Sequence, residues 1–178
     1  MIKVSIVILN WNSDNYLKDC LKAICAQSFK DFEVIFVDNG SSNGSLEEVK
    51  KAYPTFIYVE NNLNYGFARG MNIGISHAQG EYVLLLNTDV YLDSNYLEEC
   101  VKALDCDSTL GCVAGVEYPW KNGKLLQSTY SSGALGIKLH LQLGDMGIVD
   151  GYTFGVSGSF PIYRRSTCLL YTSDAADE

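Results

Sequence analysis

Five consecutive apolar residues, Tyr82-Val83-Leu84-Leu85-Leu86, stop abruptly at Asn87-Thr88-Asp89, with Gly80 before the run and Asp93-Ser94-Asn95 after it. The length suits a strand buried on both faces, because a core helix needs about twice as many residues. Such a strand belongs in the middle of a parallel sheet. Its carboxyl end delivers an amide, a hydroxyl and a carboxylate to the crevice where open α/β sheets bind ligands. Taken alone, the same residues also read as a strand-to-loop turn in which Asn87 and Asp89 satisfy local backbone groups.

The surrounding chain repeats that pattern. Residues 3–9 (KVSIVIL) form a strand ending at Asn10-Trp11-Asn12, after which Ser13 or Asp14 can cap a helix carrying Tyr16, Leu17, Cys20, Leu21 and Ile24. Residues 32–37 form a second strand, ending in Asp38-Asn39-Gly40-Ser41-Ser42, and a short helix runs from Ser45 to Tyr53 before Pro54. Residues 56–59 form a third. Gly66, Gly70 and Gly74 then recur every four residues and would line one helix face, letting its backbone approach a neighbour closely. After the strand at 82–86 a helix spans about 94–104, with Leu97, Cys100, Val101 and Leu104 as its apolar stripe. Alternation of strand and helix predicts a mainly parallel sheet with helices on both faces. Residues 112–118 read as a further strand, residues 119–150 lack clear periodicity, and residues 153–163 read as a strand or loop interrupted by glycine. His77 and His140 have no partner pattern that would make either catalytic.

A chain of 178 residues can bury about two thirds of its unfolded surface in one domain without a metal or disulfide staple. The net charge of −8, with basic residues scattered apart from Arg164-Arg165, excludes a nucleic-acid footprint. Six cysteines without a Cys-x-x-Cys pair, several at apolar helix positions, read as buried thiols in a reducing cytoplasm. No segment reads as a signal peptide, and no window approaches the roughly 20 apolar residues of a membrane span. A Gly-x-Gly-x-x-Gly after the first strand is also missing, which argues against a dinucleotide-binding or flavodoxin-like module.

The segments SIVILNWN, VDNGSSNGS, NYGFARGMNIGI and LLLNTDV, in this order, resemble the catalytic domain of glycosyltransferase family 2, in particular its rhamnosyltransferase-like branch. The resemblance covers residues 3–118 well and 150–165 more loosely. It implies the GT-A fold, a three-layer α/β/α, Rossmann-like arrangement on a mixed, mainly parallel sheet. It also implies inverting transfer of a sugar from a nucleotide-diphosphate sugar to a hydroxyl of a glycan or lipid-linked acceptor, in surface polysaccharide or cell-wall glycan synthesis. Leu9, Asn10 and Trp11 would then border the base pocket, while Asp38, with Asn39 beside it, would accept from a pyrimidine N–H or a ribose hydroxyl. Asp38 has an alternative role as a turn cap. Gly66, Arg69 and Asn72 would meet the donor at a helix start that favours the diphosphate, although Arg69 also reads as a solvated surface residue.

Asp89 matches the last carboxylate of the family's Asp-x-Asp signature, Asn87 stands where its first aspartate often lies, and Thr88 sits between them. A hard cation, Mg²⁺ or Mn²⁺, would bridge Asp89 to the diphosphate. The general base is expected downstream of Gly158-Ser159-Phe160-Pro161-Ile162-Tyr163-Arg164-Arg165. Residues Cys168 to Glu178 (CLLYTSDAADE) resemble a translated sequencing adapter, so the glycosyltransferase domain is expected to occupy residues 1–167 and to lack that base. The resemblance allows peripheral attachment to the inner membrane face through a missing carboxyl-terminal part. A nucleotide-sugar-binding fragment of the same fold, without catalysis, is the alternative reading.

Overall fold

The computed structural model describes residues 2–13, 15–115, 120–121, 124–125, 137–139, 151–153 and 160–168. In chain order the elements are β1 (Val4–Asn10), α1 (Asn15–Cys25), β2 (Phe32–Asp38), α2 (Ser45–Ala52), β3 (Ile57–Glu60), α3 (Phe67–Ser76), β4 (Tyr82–Leu86), α4 (Tyr96–Cys106) and β5 (Cys112–Val113). Short strands follow: β6 (Trp120–Lys121), β7 (Lys124–Leu125), β8 (Ile137–Leu139), β9 (Gly151–Thr153) and β10 (Ile162–Arg164). The main sheet has the order β3-β2-β1-β4-β10-β5, while β6 pairs with β7 and β8 with β9 in two separate antiparallel pairs.

The four strands from β3 to β4 are parallel, and β10 runs antiparallel to both β4 and β5. The sheet is therefore mixed and mainly parallel, as the alternation of elements predicts. Residues along each central strand point alternately to two apolar layers. Val4, Ile6 and Ile8 of β1, Phe36 of β2 and Leu84 of β4 pack with α1, α2 and α4. Val7, Ile35, Val37 and Val83 face the opposite way, onto Met71 and Ile75 of α3. Strands buried on both faces can therefore be apolar at nearly every position, and β4 is.

The close approach expected of the α3 glycines is present. A Cβ on Gly74 would lie 2.3 Å from Val7 Cγ1 and 2.8 Å from Val37 Cγ2, and one on Gly70 would lie 2.6 Å from Leu9 Cδ1. Gly66 instead precedes the helix with φ 83°. Among the thiols, Cys20, Cys100, Cys112 and Cys168 are buried and Cys25 and Cys106 exposed, so the expectation of buried cysteines holds for four of six. Cys168, first residue of the segment set apart by sequence, packs in the second apolar layer, whereas residues 169–178 lie outside the described residues. The helix expected from residue 94 begins at Tyr96, and of the strand expected over 112–118 the described part is Cys112–Val113. His77 ends α3 with its Nδ1 2.9 Å from Ile73 O, while His140 lies outside the described residues. Among the described residues no helix is long and apolar enough to cross a membrane.

Candidate active site

Ile8 of β1 is level with both Phe36 of β2 and Leu86 of β4, so three parallel strands release the chain at one height. A cleft of about 370 Å³ opens there. The end of β1 contributes Leu9, Trp11 and Ser13, the end of β2 Asn39, the approach to α3 Asn64, Gly66 and Phe67, and the end of β4 Asn87, Thr88 and Asp89. Trp11, 56% exposed, and Phe67, 54% exposed, put two aromatic rings on this one cleft.

Asn10 and Asp38, marked by sequence as donor contacts, are instead buried side by side at the strand ends and do not line the cleft. Asn10 Nδ2 donates to Asp38 Oδ1 at 2.7 Å and also lies within reach of Ser45 Oγ (2.9 Å) and Ser41 Oγ (3.1 Å). Asp38 Oδ2 accepts from the Ser41 backbone N–H at 2.9 Å. Both carboxylate oxygens are thus engaged by the protein, which is what a buried carboxylate requires. Asn10 Oδ1 is buried and finds no partner among the described residues. Arg69 is exposed, its guanidinium 4.3 Å above the Tyr65 ring, and Asn72 is half-buried; neither lines the cleft.

Asn39 shapes one wall. Its Oδ1 accepts from Asn61 Nδ2 (3.0 Å) and from the Tyr65 backbone N–H (3.2 Å), and its Nδ2 donates to Asn64 Oδ1 (2.7 Å) and Gly66 O (3.1 Å). The amide cannot be turned round. Tyr65 N–H can only donate and Gly66 C=O can only accept, so each end of the Asn39 side chain has one chemical identity. Asn64 is fixed in the same way, because its Oδ1 also accepts from the Gly66 N–H at 2.8 Å. One 1% exposed side chain therefore ties residues 61–66 to the end of β2. Gly40 permits this proximity: its φ is +77°, and a Cβ there would meet Leu63 Cα at 2.8 Å.

The Asn87–Asp89 turn is held from the α1 side. Ser13 Oγ donates to Thr88 Oγ1 at 3.1 Å, so Ser13 bridges two strand ends. Cys20 Sγ contacts Asn87 O at 3.6 Å. Burial, with the Asp89 carboxylate as a further cause, pushes the Cys20 thiol up to about 12, so it stays protonated. Asp89 itself is exposed and, among the described residues, is the carboxylate lining the cleft. Among the described residues no group of three or more His, Cys, Asp or Glu could hold a metal ion by itself. Asp89 and the Asn87 side-chain oxygen are hard donors that fit Mg²⁺ or Mn²⁺ only when a diphosphate and water complete the shell. Sequence reasoning missed Ser13, Asn64 and Phe67; the Asn61-Asn62-Leu63-Asn64 run was the one available signal that this loop is hydrogen-bonded into place.

The sequence profile of glycosyl transferase family 2 matches residues 5–168. Chondroitin synthase of Pasteurella multocida (strain Pm70) is 34% identical over 112 residues, which are 62% of this chain and 12% of that protein's length. The crystal structure of S. aureus TarS 1-349 in complex with UDP-GlcNAc superposes with a TM-score of 0.71 at 23% identity, over 97% of this chain and 47% of that one. The mannosyltransferase PcManGT from Pyrobaculum calidifontis, in complex with GDP-Man and Mn²⁺, gives a TM-score of 0.60 at 27% identity over 65% of this chain and 35% of that one. The profile spans every strand of the main sheet and all three strand ends that border the cleft, and on that ground the chain belongs to glycosyl transferase family 2.

Proposed function

We propose that this chain carries the donor site of an inverting glycosyltransferase, which moves a sugar from a nucleotide-diphosphate sugar to a hydroxyl of a glycan or lipid-linked acceptor in surface polysaccharide or cell-wall glycan synthesis. The observation that carries this reading is one cleft at the carboxyl ends of β1, β2 and β4 lined by both Trp11 and Asp89. An aromatic face suits a base, and an exposed carboxylate suits a cation-borne diphosphate, so the two ends of one donor are matched by one crevice. Related proteins support it: a chondroitin synthase by name, and structures holding UDP-GlcNAc or GDP-Man with Mn²⁺.

In this reading Trp11, with Leu9 beside it, borders the base. Asn39 and Gly66 set the donor-side wall, and Asn87, Thr88 and Asp89 face the diphosphate. A divalent cation held by Asp89 would, as a Lewis acid, stabilise the charge that develops on the departing nucleoside diphosphate. Asn10 and Asp38 act from below by fixing the ends of β1 and β2, and Arg69 and Asn72 contact the donor only if side chains at the α3 entrance move. The general base is assigned downstream of Arg165, and membership of the rhamnosyltransferase-like branch is part of the same proposal.

The test is thermal stabilisation by a panel of UDP-, GDP-, dTDP- and CDP-sugars with and without Mn²⁺. One class should raise Tm with Mn²⁺ present, since a ligand at 100 times its Kd adds about 2.7 kcal/mol. No shift with any of them would contradict the reading.

A further inference from the structure

Phe67, first residue of α3, keeps 54% of its surface exposed while lining the cleft. Neither apolar layer of the fold includes it. Its backbone is nonetheless firmly placed. Residues 61–66, which lead directly into it, are tied to Asn39 by four hydrogen bonds of 2.7 to 3.2 Å, and the next turns of α3 are seated on β1 and β2 through Gly70 and Gly74. An exposed ring on a well-anchored backbone is what a binding surface needs, because little conformational freedom remains to be lost when a ligand stacks on it.

Resting on the donor reading above, we infer that Phe67 is a second aromatic wall for the nucleotide base, acting with Trp11, and that Asn39 is the positioning residue that holds it there. The ligand class is a nucleoside diphosphate, recognised at this wall through the planar face of its base and not through hydrogen bonds. The specificity of Asn39 follows from its amide: aspartate would keep both acceptor contacts but turn its second oxygen toward Asn64 Oδ1 and Gly66 O, which are acceptors themselves.

Calorimetry with UDP, GDP, dTDP, CDP and inorganic pyrophosphate, in Mn²⁺, tests this on the full chain. For whichever nucleoside diphosphate the parent binds, Phe67→Ala should weaken binding about tenfold and Phe67→Tyr should restore it, in line with the stacking of one base on one ring. Pyrophosphate binding should be unchanged by either substitution. Asn39→Asp should weaken the same nucleotide, and in the Phe67→Ala background its further effect should shrink, because the two residues act as one unit. Hydrogen exchange over residues 61–67 should rise in Asn39→Asp and stay at the parental level in Phe67→Ala. A parent that binds none of the nucleotides overturns the donor reading together with this inference. A parent that binds while Phe67→Ala binds equally well, or loses nucleotide and pyrophosphate alike, overturns the inference alone.

Discussion

Asp38 ends β2 and Asp89 lies in the turn that follows β4, yet one is 3% exposed and the other stands in the open cleft, so their substitutions should separate. Asp89 is exposed and makes no hydrogen bond among the described residues, so for Asp89→Ala Tm should change by less than the equivalent of about 0.5 kcal/mol. Calorimetry with Mn²⁺ should show the nucleotide affinity lost to the level measured without metal; equal affinity of variant and parent would remove Asp89 from the metal role. Asp38→Asn leaves an acceptor for Asn10 but sets an amide N–H₂ against the Ser41 backbone N–H, which now donates to Oδ2. An unsatisfied buried donor costs about 1–3 kcal/mol. Tm should therefore fall, and free nucleotide should bind more weakly even in EDTA, because the ends of β1 and β2 shift together. A loss of affinity seen only with metal present would place Asp38 in the diphosphate site.

At the level of elements, α3 decides how tightly the cleft wall sits on the sheet. Gly74→Ala gains about 1 kcal/mol of helix propensity, but its Cβ would collide with Val7 and Val37 on two central strands. Overpacking of that kind costs about 1–3 kcal/mol, so we expect net destabilisation and a Tm several degrees lower by calorimetric scan. A neutral or stabilising result would mean that α3 can lift from β1 and β2 at little cost. This glycine spacing was legible in the sequence because helix periodicity is local, and so were strands β1 to β4, each an apolar run bounded by polar or turn residues. The antiparallel insertion of β10 between β4 and β5 was not, since strand order is set by contacts between residues about 50 to 80 positions apart. The cleft was half legible for the same reason. Leu9, Trp11, Asn39 and the Asn87–Asp89 turn stand at strand ends, where the alternation points, whereas Ser13, Asn64 and Phe67 are brought in by loop hydrogen bonds that no periodicity announces. Burial of Asn10 and Asp38 depends on how deep the 41–45 turn sits, which is also a tertiary matter.

Across the whole molecule, the amino-terminal ends of β1 and β4, opposite the cleft, carry a charge network. Lys3 Nζ reaches Glu81 and Asp105 at 2.8 Å each, and the Tyr82 hydroxyl donates to Asp105. Burial alone would push the Lys3 amine down and the Asp105 carboxyl up; the hydrogen bonds between them win, so Lys3 is raised and Asp105 lowered. Stability from the lowered Asp105 is present above its unfolded value of about 4 and is lost as pH falls through the folded value below that. Stability from the raised Lys3 is present below about 10.4 and is lost as pH climbs past it. Partly exposed pairs are worth about 1 kcal/mol or less. Lys3→Met should thus lower Tm by about 1–4 °C at pH 7, with the difference shrinking below pH 4, and should leave nucleotide affinity untouched. A change in affinity would mean that the two ends of the sheet are coupled.

The central claim is that the cleft at the ends of β1, β2 and β4 holds a nucleoside diphosphate through a cation on Asp89. The most direct measurement is anomalous scattering from Mn²⁺ in crystals of the chain grown with the nucleoside diphosphate it binds. We predict one peak against the Asp89 carboxylate, with phosphate oxygens completing its shell and the base between the strand ends beside Trp11. A peak away from Asp89, or a nucleotide bound outside this cleft, would contradict the account.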